Sequence, residues 1–151
     1  MTRSVARELA LHLVYAMDCS EMPVEELLES RLDKAYFQLL AEEDELYQEL
    51  PKGKMRGYVE TVVRGVSEKK EQLDNEISEL SQNWSLSRIS ALAKAILELA
   101  MYEALYLEDV PMNVAIHEAV VLAKKYEQED TVKYVNGVLG AFSRKHEAKE
   151  C

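Results

Sequence analysis

Three histidines, two cysteines and a few helix-borne glutamates are the groups of this 151-residue chain with the types to do chemistry. His117-Glu118 has the start of a zinc-protease pair, but that metal needs a second histidine one helical turn later on the same face. Position 121 is valine, so the zinc reading fails. His12 and His146 lie near opposite ends with no histidine or cysteine at ligand spacing, and they read as surface or partner-facing groups. Cys19 and Cys151 make no metal-ligand pair either, and they read as reduced thiols. Glu103 and Glu118 offer an acid/base pair in principle, yet glutamates on helices more often serve caps and ion pairs. The five glycines are isolated from one another, with no phosphate-binding loop, nucleophile elbow or kinase signature. The residues therefore predict a protein that is not an enzyme and carries no cofactor or metal.

Binding chemistry is better represented. Lys133-Tyr134 sets a cation beside an aromatic ring, the combination that holds a phosphate and stacks an unpaired base. Asn136-Gly137 follows inside an apolar helical stripe, where glycine costs about 1 kcal/mol against alanine. Close helix contact at Gly137, with Asn136 bonded to a neighbouring helix end, is one explanation; a ligand surface along the same helix is the other. Further basic groups stand at Arg3 and Arg7, at Lys52, Lys54 and Arg56, and at Lys124 and Lys125. The net charge of −10 excludes a broad basic surface, so nucleic-acid affinity has to come from a local patch.

The elements that must position these groups are helical throughout. Val5, Leu9, Leu13 and Met17 mark one face of an opening helix, and Leu27, Leu28 and Leu32 mark a second helix that starts at Pro23. Residues 41–50 carry five acids and no base, which predicts a solvated helix end and connection. Val59, Val62, Val63 and Val66, followed by Leu73, Ile77 and Leu80 up to Trp84, predict two helices or one bent one. Ser85 and Ser87 are candidate caps for a long helix with Ile89, Leu92, Ile96 and Leu99 inward. Pro111 breaks it, Asn113 is a candidate cap for the next helix, and Ala115, Ala119, Leu122 and Tyr126 form that helix's buried edge. Asp130 is a candidate cap for the last, whose Val135, Val138, Leu139 and Phe142 face inward. With no period-two alternation and no repeat, the fold class is all-α: one domain over residues 1–151, a compact bundle of about seven helices. Residues 1–20 hold too many charges for a signal peptide or membrane span, so the expected location is cytoplasmic.

Taken in order, these residues resemble the NusB family of transcription antitermination factors. The resemblance runs from Ala6-Arg7-Glu8-Leu9-Ala10 and Tyr15, through Trp84, Arg88, Ala95-Ile96-Leu97, Tyr102-Glu103, Pro111 and Glu118-Ala119. It closes on Glu129-Asp130-Thr131, Lys133-Tyr134 and Val135-Asn136-Gly137-Val138-Leu139, and it is weakest over residues 35–58. It implies two packed helical subdomains that bind single-stranded boxA RNA together with the ribosomal protein NusE, within the RNA polymerase antitermination complex. Carried over residue by residue, Arg3, Arg7, Asp130, Lys133 and Tyr134 would face RNA, and Tyr15 and position 93 would face NusE.

The chain departs from the family pattern at several of these places. The N-terminal arginine cluster is reduced to Arg3 and Arg7, the usual acid in the long helix is Ala93, and a common arginine one turn later is Glu98. His117 stands for the usual asparagine, and Tyr134 for a common phenylalanine. A different class of function, a helical protein-interaction module with little RNA affinity, draws support from the acidic balance and the thin arginine cluster. Such a module would bind a partner, or a second copy of the chain as a homodimer, through exposed apolar surface. A ribosomal RNA methyltransferase is disfavoured because no glycine-rich cofactor-binding segment follows the helices.

Overall fold

The computed structural model describes residues 1–84 and 89–150, so Ser85, Ser87, Arg88 and Cys151 lie outside the described residues. Among these, seven α-helices and one 3-10 turn follow in order, with no strand: α1 (Arg3–Asp18), α2 (Val24–Arg31), α3 (Lys34–Leu40), the turn Glu45–Tyr47, α4 (Gly53–Leu80), α5 (Ala91–Tyr106), α6 (Met112–Tyr126) and α7 (Glu129–Glu150). The chain divides into two compact units, Met1–Glu68 and Lys69–Cys151.

In the first unit, Thr2 caps α1 by accepting the Val5 amide at 3.2 Å. Ala6, Leu9, Ala10, Leu13 and Val14 are buried, whereas Val5 is exposed. A stripe of strict fours rotates by about 40° per step around a helix of 3.6 residues per turn, so its ends leave the buried face. Leu27, Leu28 and Leu32 are buried as the spacing predicts. The acidic connection holds more structure than its charge suggests. Asp44 accepts the Leu46 amide at 2.9 Å, starting a turn that buries Leu46 and Tyr47. The Tyr47 ring packs edge-on to Phe37 with centroids 4.9 Å apart, and its hydroxyl bonds His12 Nδ1 at 2.9 Å. Burial is the main reason that the Tyr47 phenol is pushed up to about 12. His12 is thus a half-buried structural group rather than a surface one.

Helix α4 is one uninterrupted helix of 28 residues, opened by Gly53 at φ 56°, a conformation that favours glycine. Its valines 59, 62, 63 and 66 fill the first unit, and Leu73 and Ile77 serve the second.

In the second unit α5 packs on α6 and α7, and α6 packs on α7. Ser90 caps α5, accepting the Ala93 amide at 3.0 Å, and donates to Glu127 at the end of α6 at 2.6 Å. The cap of α6 falls at Pro111 rather than Asn113, with no side-chain cap bond. Asp130 sits inside the first turn of α7 beside Glu129, where acids complement the helix dipole, and it is not the cap. Val135, Val138, Leu139 and Phe142 are fully buried.

The end of α7 is clamped to α4. Lys145 Nζ and His146 Nε2 each lie 3.0 Å from a Glu76 carboxylate oxygen, so His146 also holds the fold. Lys145 reaches Glu79 as well, at 3.6 Å. Partial burial opposes ionisation of Glu76, but the bonds from His146 and Lys145 outweigh it and hold the carboxyl below its ordinary value. A carboxyl depressed by folding contributes stability above its unfolded pKa of about 4.3, and that stability is lost as pH falls through the lower folded value. Glu76→Gln should therefore flatten the acid limb of stability below about pH 5, read as urea midpoints against pH. An acid limb unchanged by the substitution would remove the clamp as its source.

Candidate nucleic-acid interface

The expected RNA-facing groups fall in both units, and the structure gives them different roles. On α1, Arg3 is half-buried with its guanidinium 4.4 Å from the centroid of the Tyr58 ring, a cation–π contact that leaves part of the charge accessible. Arg7 lies over the same ring at 5.9 Å and is only 4% exposed. Arg7, a residue that the family resemblance would turn toward RNA, is at this position part of the core. Its stem and guanidinium pack, so Arg7→Ala should cost about 1–3 kcal/mol of stability. Urea unfolding measures this; an unchanged midpoint would show that Arg7 carries no packing load.

On α7, Lys133 is 66% exposed and pairs loosely with Glu129 at 3.6 Å, one turn earlier. Asp130 and Asn136 are exposed as well. Asn136 therefore does not sit against a neighbouring helix end in the interior. Tyr134 is corrected by the structure: it is fully buried, on the core side of α7. Ser81 Oγ donates to the Ile77 carbonyl, so the Tyr134 hydroxyl donates to Ser81, at 2.6 Å. Burial raises the Tyr134 phenol above its ordinary value even with Ser81 bonded to it. The ring meets Trp84 edge-to-face, 5.5 Å between centroids at 88°. No open face is left for a nucleotide.

Gly137 is explained by the same contact. A Cβ at this position would collide with the Cζ2 edge of Trp84, so the glycine makes room for an indole rather than for a helix backbone. Trp84 itself is 37% exposed. Neighbouring helical positions continue the surface: Gly140 lies one turn on, and a Cβ there would sit 3.4 Å from a guanidinium nitrogen of the exposed Arg144. Spacing in the sequence does not reveal that Trp84 packs on Gly137 or that Arg144 reaches back to Gly140. Trp84 reads from spacing as the end of an apolar stripe, and only the glycine four residues past Lys133 hinted that something large lies over α7.

The two expected partner-facing positions also separate. Tyr15 is 41% exposed on α1, whereas Ala93 is fully buried in the first turn of α5, because it falls on the face of α5 that packs inward. The remaining chemistry is structural. Glu103 is buried on α5, Glu118 is half-buried on α6 and His117 is exposed. Among the described residues no three His, Cys, Asp or Glu side chains are grouped to hold a metal ion. Nor is any described helix long and apolar enough to cross a membrane.

Residues 4–144 match the NusB family. The transcription antitermination protein NusB of Bacillus subtilis is 39% identical over 139 residues, 92% of this chain and 92% of that protein. That of Thermoanaerobacter sp. (strain X514) is 38% identical over 144 residues, covering 95% of this chain and 91% of the relative. Among solved structures, T. maritima NusB matches with a TM-score of 0.78 at 29% identity, over 99% of this chain and 96% of that one. A NusB solved with NusE and dsRNA shares the fold, with a TM-score of 0.72 at 23% identity over 95% of this chain and 96% of that one. The helical fold and these relatives together define a non-enzymatic transcription antitermination factor. The chain belongs to the NusB family.

Proposed function

We propose that this chain binds the single-stranded boxA segment of nascent ribosomal RNA in the cytoplasm, jointly with the ribosomal protein NusE, as part of the RNA polymerase antitermination complex. The observation that carries this reading is the exposed polar face of α7, where Asp130, Lys133 and Asn136 stand together in solvent on an otherwise acidic chain. Lys133 supplies a phosphate contact, and Asp130 accepts from base amino groups, the pairing by which carboxylates read cytosine. In the first unit Arg3 adds a second cation, held in place by Tyr58. Arg7 and Tyr134 act as supports behind these groups. Tyr15 is the aromatic anchor for NusE, since an exposed tyrosine gives a large contact area at low entropic cost. Ala93, buried in the first turn of α5, has no exposed side chain to offer a partner.

The test is binding to boxA-like and scrambled single strands across a salt series, with and without NusE. The NusE complex should prefer the boxA-like strand, with log affinity falling by about 0.7 per neutralised phosphate per tenfold rise in salt. Lys133→Ala should weaken both strands alike and reduce that slope by about one phosphate's worth. Tyr15→Ala should weaken NusE binding about tenfold or more while leaving the RNA slope alone. No preference by either the free chain or the complex would overturn the RNA reading and leave a helical protein-interaction module.

A further inference from the structure

Burying Tyr134 removes the ring expected to stack on RNA, yet the structure sets a second aromatic over the same turn of α7. Trp84 is seated by Gly137, backed by the edge-on Tyr134 ring, and still has more than a third of its surface in solvent. Exposing an indole that Tyr134 and Gly137 hold in one orientation makes a rigid π-surface, which is what sequence-tolerant base stacking requires. Around it α7 presents complementary groups. Lys133, Asn136, Gly137, Gly140 and Arg144 follow at helical spacing along one face, and the two glycines keep the helix surface low between the cations. Lys133 and Arg144 are about 16 Å apart along the axis, at opposite ends of the Trp84 seat. Arg144 is exposed, and its guanidinium extends back over Gly140 toward that seat.

We propose that Trp84, Asn136 and Arg144 form a nucleotide subsite in which the indole stacks one unpaired base, the Asn136 amide bonds that base's edge, and Arg144 takes the adjoining phosphate. This rests on the RNA-binding reading above. It moves the stacking function from Tyr134 to Trp84 and makes Tyr134 and Gly137 positioning residues. In a chain of net charge −10, a neutral aromatic platform supplies affinity that the sparse cations do not.

Trp84 is the sole tryptophan of the chain, so its emission reports on the subsite alone. The experiment titrates the chain, free and with NusE, with single-stranded RNA, following Trp84 fluorescence and, separately, the anisotropy of end-labelled RNA. Binding should quench the indole, with a midpoint that matches the anisotropy. Trp84→Ala should lower affinity roughly tenfold to a hundredfold, and Trp84→Phe should restore most of it. Arg144→Ala, a substitution on the exposed face, should weaken binding and reduce the salt slope by about one phosphate's worth. Gly137→Ala, which pushes the indole off its seat while keeping it in the chain, should weaken binding and blunt the quench. Circular dichroism on each variant separates loss of contact from loss of fold. RNA that binds by anisotropy without quenching Trp84, and binds Trp84→Ala and Arg144→Ala as tightly as the parent, would overturn the subsite while leaving the RNA reading intact. RNA that does not bind the parent chain in either state would overturn both.

Discussion

Helix α5 is buried on nearly every side, and this places two glutamates in the interior of the second unit. Every residue from Ala95 through Tyr102 is buried, Glu98 among them, and Glu103 follows. An isolated buried carboxylate is too costly to persist, so the neighbouring helix has to supply a counter-charge. Lys70 does so from α4, its Nζ 2.8 Å from Glu98, and it also reaches Asp74 at 3.4 Å. Lys94 closes the cluster on Asp74 at 3.3 Å. Partial burial disfavours the Asp74 carboxylate, but its neighbours, Lys70 and Lys94 among them, hold its pKa below the ordinary value. Such a pair adds little net stability over an apolar alternative, whereas loss of one partner strands the other charge. It therefore acts chiefly on register: α4 must present Lys70 and Asp74 to α5, and an unbroken α4 does this.

With that register set, α7 can be read as a helix of two faces. Its inner face carries Tyr134, Val135, Val138, Leu139 and Phe142, all without exposure, and its end is held by Glu76 through Lys145 and His146. Its outer face carries Lys133, Asn136 and Arg144, with glycines between them. Trp84 belongs to both faces, packed against Tyr134 and Gly137 below and open above. Helix propensity alone disfavours glycine at position 137. Seating the indole compensates, because any larger residue would displace the ring.

Where apolar residues follow a clean period, the sequence was enough to place them. The leucines of α2, the valines of α4 and the inner face of α7 are buried as their spacing predicts. Legibility failed where one residue type serves opposite ends. Arg7 and Tyr134 carry polar tips on large apolar bodies, and spacing does not say whether tip or body meets solvent. Leu46 and Tyr47 were hidden in a run of acids, because net charge over a window says nothing about two apolar residues within it. Val5 failed because a strict four-residue interval drifts around the helix. The structure leaves Lys133, Asp130 and Tyr15 exposed, as a binding role requires of them; the packing of Trp84 on Gly137 was not legible, since it is a contact across more than fifty positions.

The acidic balance also bears on what kind of binding this chain can perform. Part of its positive charge is already paired with the chain's own acids: Arg64 holds Glu25 at 2.8 Å, Arg56 holds Glu60 at 3.0 Å and the Leu32 carbonyl at 3.1 Å, and Lys70 and Lys145 hold buried or half-buried acids. With 28 acids against 18 lysines and arginines, counterion release contributes less than in a basic RNA-binding protein. Non-specific affinity falls with it, while stacking and base-edge contacts do not depend on net charge. A surface that repels RNA in general but offers one aromatic seat and a few donors gains discrimination at the expense of raw affinity. Affinity of that limited kind is raised most effectively by a second protein bound alongside, because two linked contacts multiply rather than add. Under the proposed function, an exposed Tyr15 for a protein partner and a sparsely charged face for RNA would belong to one strategy.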